Sequence, residues 1–211
     1  MVRSGRHSEV ARPPCAYARR VRLLFVCTGN LCRSPFAERR TLELLRGADA
    51  AVHVGSAGTR AVVGAPMHED SVRVLSEFGG SAVGHRARQL TRELVDEADL
   101  VLTMGARHRT ATLERSPVSL RKTFTLLEAV GLLDHLEPSE DPSGELVGEH
   151  FRGMVGRLAH ARSLLPRPHP GFADVVDPIG RPLGVHREVG QVIDDALRLI
   201  LPRLVPSVPA R

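Results

Sequence analysis

Cys27-Thr28-Gly29-Asn30-Leu31-Cys32-Arg33-Ser34-Pro35 sets five residues between a cysteine and an arginine, a spacing suited to holding a doubly charged phosphoryl group. Five residues curl into a bowl whose backbone N–H groups point inward, and a helix starting near Ser34 adds the positive end of its dipole. A cysteine at a helix N-terminus beside an arginine ionises more readily than a free thiol, which makes Cys27 the candidate nucleophile. The planar fork of Arg33 grips two phosphoryl oxygens and stabilises charge on them during transfer. The Ser34 hydroxyl is placed to hydrogen-bond the sulfur and help it leave. Thr28, Gly29, Asn30, Leu31 and Cys32 supply the bowl itself. Gly29 allows close backbone approach, Asn30 tolerates the left-handed conformation a nest needs, and Pro35 suits the first helical turn.

Displacing an oxygen leaving group from phosphorus needs a proton donor, worth roughly 10²–10⁴-fold. Two Asp-Pro pairs qualify, Asp141-Pro142 and Asp177-Pro178. In each the proline pushes the aspartate toward an extended conformation, and Asp-Pro is also an ordinary turn.

The elements that must position these groups follow from hydrophobic period. VRLLFVC from Val21 is a short continuous apolar run, as expected for a strand buried on both faces. From Pro35 the spacing of Phe36, Ala37, Arg40, Leu44 and Leu45 is helical. AVHVGSAG reads as a strand and MHEDSVRVLSEFGG as a helix closed by Gly79 and Gly80. TRELVDEADL reads as a helix capped by Thr91. LVLTMG is then a strand, ARHRTATLER a helix, and Lys122 to Thr125 a weaker strand. From His186 a helix presents Val189, Val192, Ile193, Ala196, Leu197 and Ile200 on one face toward the sheet. The alternation predicts an α/β fold, a doubly wound sheet of about four parallel strands flanked by helices, with ligand beyond the carboxyl ends of the strands.

A chain of 211 residues, 42% hydrophobic and 25% charged, suits one domain. The reading is a disordered basic leader over 1–20, a single domain over 21–205 and a frayed tail over 206–211. Within the domain, 133–170 reads as an irregular insertion with a short helix around Phe151 to Leu165. The net charge of +5 is spread along the chain instead of forming a stripe, which argues against nucleic acid. No apolar run approaches the ~20 residues of a membrane span, so a cytoplasmic protein is expected. Three cysteines are too few for a disulfide framework.

The string VCTGNLCRSP, between a strand and a helix, resembles the signature of the low-molecular-weight protein tyrosine phosphatases. The resemblance covers most of Arg22 to Met104 and then Ala173 to the C-terminal helix. It implies the phosphotyrosine phosphatase I-like, flavodoxin-like version of the fold and a cysteinyl-phosphate intermediate. It also implies that Asn30 is fixed by a network matching Ser56 in HVGSAGT and His85 in GHRARQL. The family carries its acid loop where this chain has DVVDPIG, which selects Asp177 over Asp141 and leaves Asp174 to order the loop. The implied partners are a phosphorylated protein, with phosphotyrosine the expected residue, and inorganic phosphate as product. No cofactor and no metal are implied, so the chelator EDTA should leave the rate unchanged.

Relatives specific for phosphotyrosine line the pocket with aromatic rings, yet DPIGRPL and GTRAVVGAP contain none. Relatives that act on phosphoarginine carry a polar side chain where this chain has Leu31. Beside a tyrosine phosphatase stand a protein-arginine-phosphatase, a thioredoxin-coupled arsenate reductase and a non-catalytic phosphoprotein-binding module. The reductase requires cysteines after Cys32 and the chain has none. Two roles are open to Cys32: a reversible disulfide with Cys27 that protects the nucleophile, or filling the base of the loop.

Overall fold

Val21–Cys27 forms strand β1, buried at every position except Arg22. Its side chains alternate between two cores, as a strand with helices on both sides requires. Val21, Leu23, Phe25 and Cys27 enter the larger core, and Leu24 and Val26 the smaller one. The computed structural model describes residues 20–46, 52–136, 146–165 and 174–206. Residues 1–19 and 207–211 of the expected leader and tail lie outside the described residues, as does Asp141.

The remaining elements, in chain order, are helix α1 (Arg33–Leu44), strand β2 (Val52–Gly58), helices α2 (Glu69–Glu77) and α3 (Arg92–Glu97), strand β3 (Leu100–Thr103), helix α4 (Ala106–Arg115), a 3-10 turn (Pro117–Lys122), strand β4 (Thr123–Thr125), helix α5 (Leu126–Gly131), a 3-10 turn (Leu132–His135), and helices α6 (Val147–Leu164) and α7 (Leu183–Leu204). The four strands pair in parallel in the order β2-β1-β3-β4. The chain leaves β1 for one neighbour and returns to its other side as β3, so the carboxyl end of β1 lies at the switch point of the sheet.

Local chemistry explains where the helices start and stop. The Thr91 hydroxyl accepts the Leu94 N–H and caps α3. Thr125 and Glu128 make a reciprocal capping box on α5. Gly79, at φ 78°, ends α2 in the left-handed conformation, and the Gly80 N–H bonds back to Leu75.

Helices α1, α5, α6 and α7 all contribute to the larger core, while Val95 and Ala98, in and just after α3, close the smaller one. Two expectations differ from what the chain does. The helix expected around Phe151 to Leu165 starts earlier and runs 18 residues; Phe151, Met154, Val155 and Leu158 recur at helical spacing and are all buried. Val192 does not face the core and is 41% exposed. Gly190 takes the buried side instead, where a Cβ would stand 2.8 Å from Val74 and 3.1 Å from Phe36. Close packing of α7 on α1 and α2 thus rotates the buried stripe away from Val192.

Candidate active site

The loop between β1 and α1 is held by its carbonyl groups. Those of Cys27, Thr28, Gly29 and Leu31 accept the N–H groups of Thr59, Arg60, Val62 and His68. The Asn30 carbonyl accepts from His85 Nε2 at 3.0 Å. With five successive carbonyls turned outward, the loop N–H groups are left to face a hollow. Helix α1 begins at Arg33 with no side-chain cap and no acidic residue in its first turn, so its unpaired N–H groups also favour an anion. Gly58 ends β2 here because a Cβ would lie 2.5 Å from the Thr28 carbonyl oxygen.

Asn30 is the only non-glycine with positive φ among the described residues, at 57°, which is the left-handed turn expected of it. Its fully buried amide donates to Ser34 Oγ at 3.0 Å and Ser56 Oγ at 2.8 Å, and its Oδ1 accepts the Arg88 N–H at 2.9 Å. The Ser56 hydroxyl in turn donates a hydrogen bond to the Glu38 carboxylate. His85 is buried, and desolvation lowers its pKa below the ordinary value; the neutral ring therefore donates through Nε2 to the Asn30 carbonyl. Ser56 and His85 thus both touch Asn30.

Ser34 Oγ lies 2.9 Å from Cys27 Sγ. Ser34 accepts from Asn30, and its hydroxyl proton can be given to the sulfur or, at a longer 3.4 Å, to the Ala57 carbonyl. Cys32 is also buried, and burial pushes its thiol up to about 11, so it stays protonated near neutral pH.

Across the hollow, Arg33 Nη2 contacts Asp177 Oδ2 at 2.5 Å and Nη1 donates to the Val175 carbonyl at 3.1 Å. Arg33 Nε is buried with no hydrogen-bond partner, an unmatched donor that an oxyanion would satisfy. Asp177 keeps 44% of its side chain exposed, facing arriving substrate. Asp174 accepts the Ala106 N–H at 2.8 Å, pinning the Asp177 loop to the start of α4. A side chain at Gly105 would collide with this carboxylate at 2.5 Å.

The hollow measures about 360 Å³ and is lined by Cys27, Thr28, Gly29, Leu31, Cys32 and Arg33, with Arg60, Val62, Asp177 and Ile179 around them. Of the residues expected at the site, Cys27, Thr28, Gly29, Leu31, Cys32, Arg33 and Asp177 line the hollow, while Asn30, Ser34, Ser56 and His85 form the hydrogen-bond network around the loop.

Several neighbours were not anticipated. Arg88 belongs to the same GHRARQL string as His85, and Glu38 sits one helical turn beyond Ser34; both positions carry a local signal. His108 has none. It arrives on α4, places Nε2 2.9 Å from Thr28 Oγ1, and is driven to about 4 by burial and then by the Arg33 charge.

Residues 22–165 match the family model described as low molecular weight phosphotyrosine protein phosphatase. The low molecular weight protein-tyrosine-phosphatase Etp of Escherichia coli strain K12 is 36% identical over 140 residues, 65% of this chain and 88% of Etp. The protein-arginine-phosphatase of Geobacillus stearothermophilus is 42% identical over 117 residues, 54% of this chain and 74% of that protein. A crystal structure of the low molecular weight protein tyrosine phosphatase from T. tengcongensis superposes with a TM-score of 0.64 at 29% identity, covering 87% of this chain and 99% of that one. With sequence, sheet order and loop geometry in agreement, the chain belongs to the low molecular weight phosphotyrosine protein phosphatase family.

Proposed function

We propose that this protein hydrolyses phosphate monoesters on protein tyrosine through a phosphocysteine at Cys27. The observation that carries the proposal is the shared hollow: a sulfur hydrogen-bonded by Ser34 at its floor, the Arg33 fork beside it and the Asp177 carboxyl at its mouth.

A phosphoryl group entering the bowl competes with Asp177 for Arg33, and the released carboxyl turns to the leaving oxygen. The Cys27 thiolate attacks phosphorus while Asp177 gives its proton to the departing phenoxide. Arg33 and the loop N–H groups hold the three equatorial oxygens. Asp177, now a carboxylate, takes a proton from water, which attacks phosphorus and expels the Cys27 sulfur into its Ser34 hydrogen bond. Inorganic phosphate leaves. Ser56 and His85 act through Asn30 and are positioning residues.

The walls are aliphatic, from Leu31, Val62 and Ile179, and Arg60 adds positive charge. Such a pocket packs against a neutral phenyl ring, while Arg60 disfavours a guanidinium. The second reading, phosphoarginine, draws support from the arginine phosphatase relative and from the absence of an aromatic wall. Among the described residues no helix is long and apolar enough to cross a membrane, and we place the activity in the cytoplasm.

The test is hydrolysis of phosphotyrosine and phosphoarginine peptides and of p-nitrophenyl phosphate. Phosphotyrosine should be preferred over phosphoarginine. Asp177→Ala should slow phosphotyrosine roughly 10²–10⁴-fold and p-nitrophenyl phosphate less, since nitrophenolate leaves without a proton. Equal losses on both substrates would remove Asp177 as the acid.

A further inference from the structure

Beside the phosphate loop lies a group of side chains that the phosphatase chemistry does not use. Cys32, His68 and His186 bring one ligand atom each to within 4.8 Å of one another, the only such cluster among the described residues. They come from three elements: Cys32 from the loop, His68 from the residue before α2, and His186 from the first turn of α7. The two imidazole rings stack with centroids 5.0 Å apart and planes 20° apart.

This grouping is ordered by its surroundings. The Ser71 hydroxyl lies 2.9 Å from His186 Nδ1 and also acts on the Cys32 thiol. One hydroxyl thus orients both groups, as the outer partners of metal ligands do. His186 is 2% exposed, and its buried Nε2 makes no well-formed hydrogen bond, although the Pro178 carbonyl lies close enough to act on the ring. A buried ring nitrogen without a well-formed bond costs about 1–3 kcal/mol, and a bound cation would remove that cost. The His68 backbone is fixed to Leu31 by a 2.9 Å hydrogen bond. Its Nδ1 holds the Asp70 N–H only at a long 3.3 Å, so the ring can reorient.

We propose that Cys32, His68 and His186 bind a zinc ion on the flank of the phosphate loop, and that the bound ion slows turnover. One thiolate and two imidazoles form a borderline-soft donor set that suits zinc and leaves a fourth position open. Donors at ~2.0–2.3 Å from a tetrahedral metal stand roughly 3.5 Å apart, so from at most 4.8 Å the cluster closes by about 1.3 Å at most. Coordination replaces the Cys32 S–H bond with an S–Zn bond and releases one proton to solvent. Asp70 acts more strongly on His186 than Asp177 does, but Asp177 lines the same hollow as Cys32 and is the carboxylate assigned to the fourth position. Coordinated there, it cannot protonate a leaving group. The site stands independently of the catalytic reading; the slowing of turnover rests on it.

The binding test uses the full chain carrying Cys15→Ser and Cys27→Ser, so that Cys32 is the remaining thiol. Titration with cobalt(II) should give a sulfur-to-cobalt charge-transfer band, and zinc should displace it at one equivalent. Adding Cys32→Ser should abolish the band. Adding His186→Ala or His68→Ala should weaken zinc binding more than about 100-fold against a chelating dye, with folding verified by circular dichroism, while His53→Ala should change nothing. No band in the starting variant, or unchanged affinity after His68→Ala, would overturn the site. In the parent, zinc should slow p-nitrophenyl phosphate hydrolysis, EDTA should restore it, and His68→Ala should be resistant. Equal zinc sensitivity in the parent and His68→Ala would place inhibition at Cys27 and overturn the regulatory half. Absence of turnover in the metal-free parent would instead refute the catalytic reading and leave the binding result intact.

Discussion

Replacing Asn30 tests whether one side chain holds the phosphate loop in shape. Its amide makes three hydrogen bonds, to Ser34, Ser56 and the Arg88 N–H, at a fully buried position. At about 1 kcal/mol net for each, their loss costs about 3 kcal/mol. Asn30→Ala also forces alanine into φ 57°, adding about 1–2 kcal/mol, for a total of about 4–5. Asn30→Gly loses the same bonds without that strain and adds about 0.5–1 kcal/mol of backbone entropy. Urea denaturation should therefore rank parent, glycine variant and alanine variant in falling stability, the last two about 1 kcal/mol apart. Turnover of p-nitrophenyl phosphate should fall in both, by about 100-fold if the bowl shifts by 1 Å. An alanine variant as stable as the glycine variant would refute the conformational argument. Parental turnover in both would refute the claim that the network shapes the bowl.

Two further predictions concern stability. Asp194 is 3% exposed and binds Arg40 Nε at 2.5 Å and Arg198 Nε at 2.7 Å. Asp194→Leu should cost about 3–5 kcal/mol by stranding the buried Arg40 charge. Arg40→Met/Asp194→Leu should recover more than half of that by urea denaturation, and no recovery would mean that the cost is packing. His108 is 4% exposed with its pKa lowered to about 4, against ~6.5 when unfolded. Between those values the unfolded chain binds the extra proton, so the stability that neutral His108 contributes is present above pH ~6.5 and is lost as pH falls toward 4, by roughly 2–3 kcal/mol. His108→Gln should flatten the pH dependence of the urea midpoint across that window, and an unchanged slope would assign it to other groups.

The loop from Cys27 to Pro35 was legible because its chemistry is contiguous: a strand end, a left-handed asparagine and a helix start follow one another along the chain. Even the sign of φ at Asn30 follows from residue type. Asp177 lies 144 positions from Arg33, and no local pattern joins the two; with Asp141 equally placed before a proline, only the family resemblance chose between them. Ser56 and His85 were reached in the same way. What no period or spacing contained was packing between distant elements. His108 meets Thr28 because α4 lies against the loop, and His186 meets Ser71 across 115 positions because α7 returns over α2. Val192 shows the same limit on a smaller scale: helical spacing defines a stripe, but the close approach allowed by Gly190 decides its centre.

The account depends on phosphorus being carried by the sulfur of Cys27. Acid-quenching the protein during turnover of p-nitrophenyl phosphate and mapping the adduct by mass spectrometry measures this directly. The adduct should lie on the peptide carrying Cys27, accumulate in Asp177→Ala and be missing, along with turnover, in Cys27→Ser. Phosphate carried on Cys32, or hydrolysis that continues in Cys27→Ser, would contradict it.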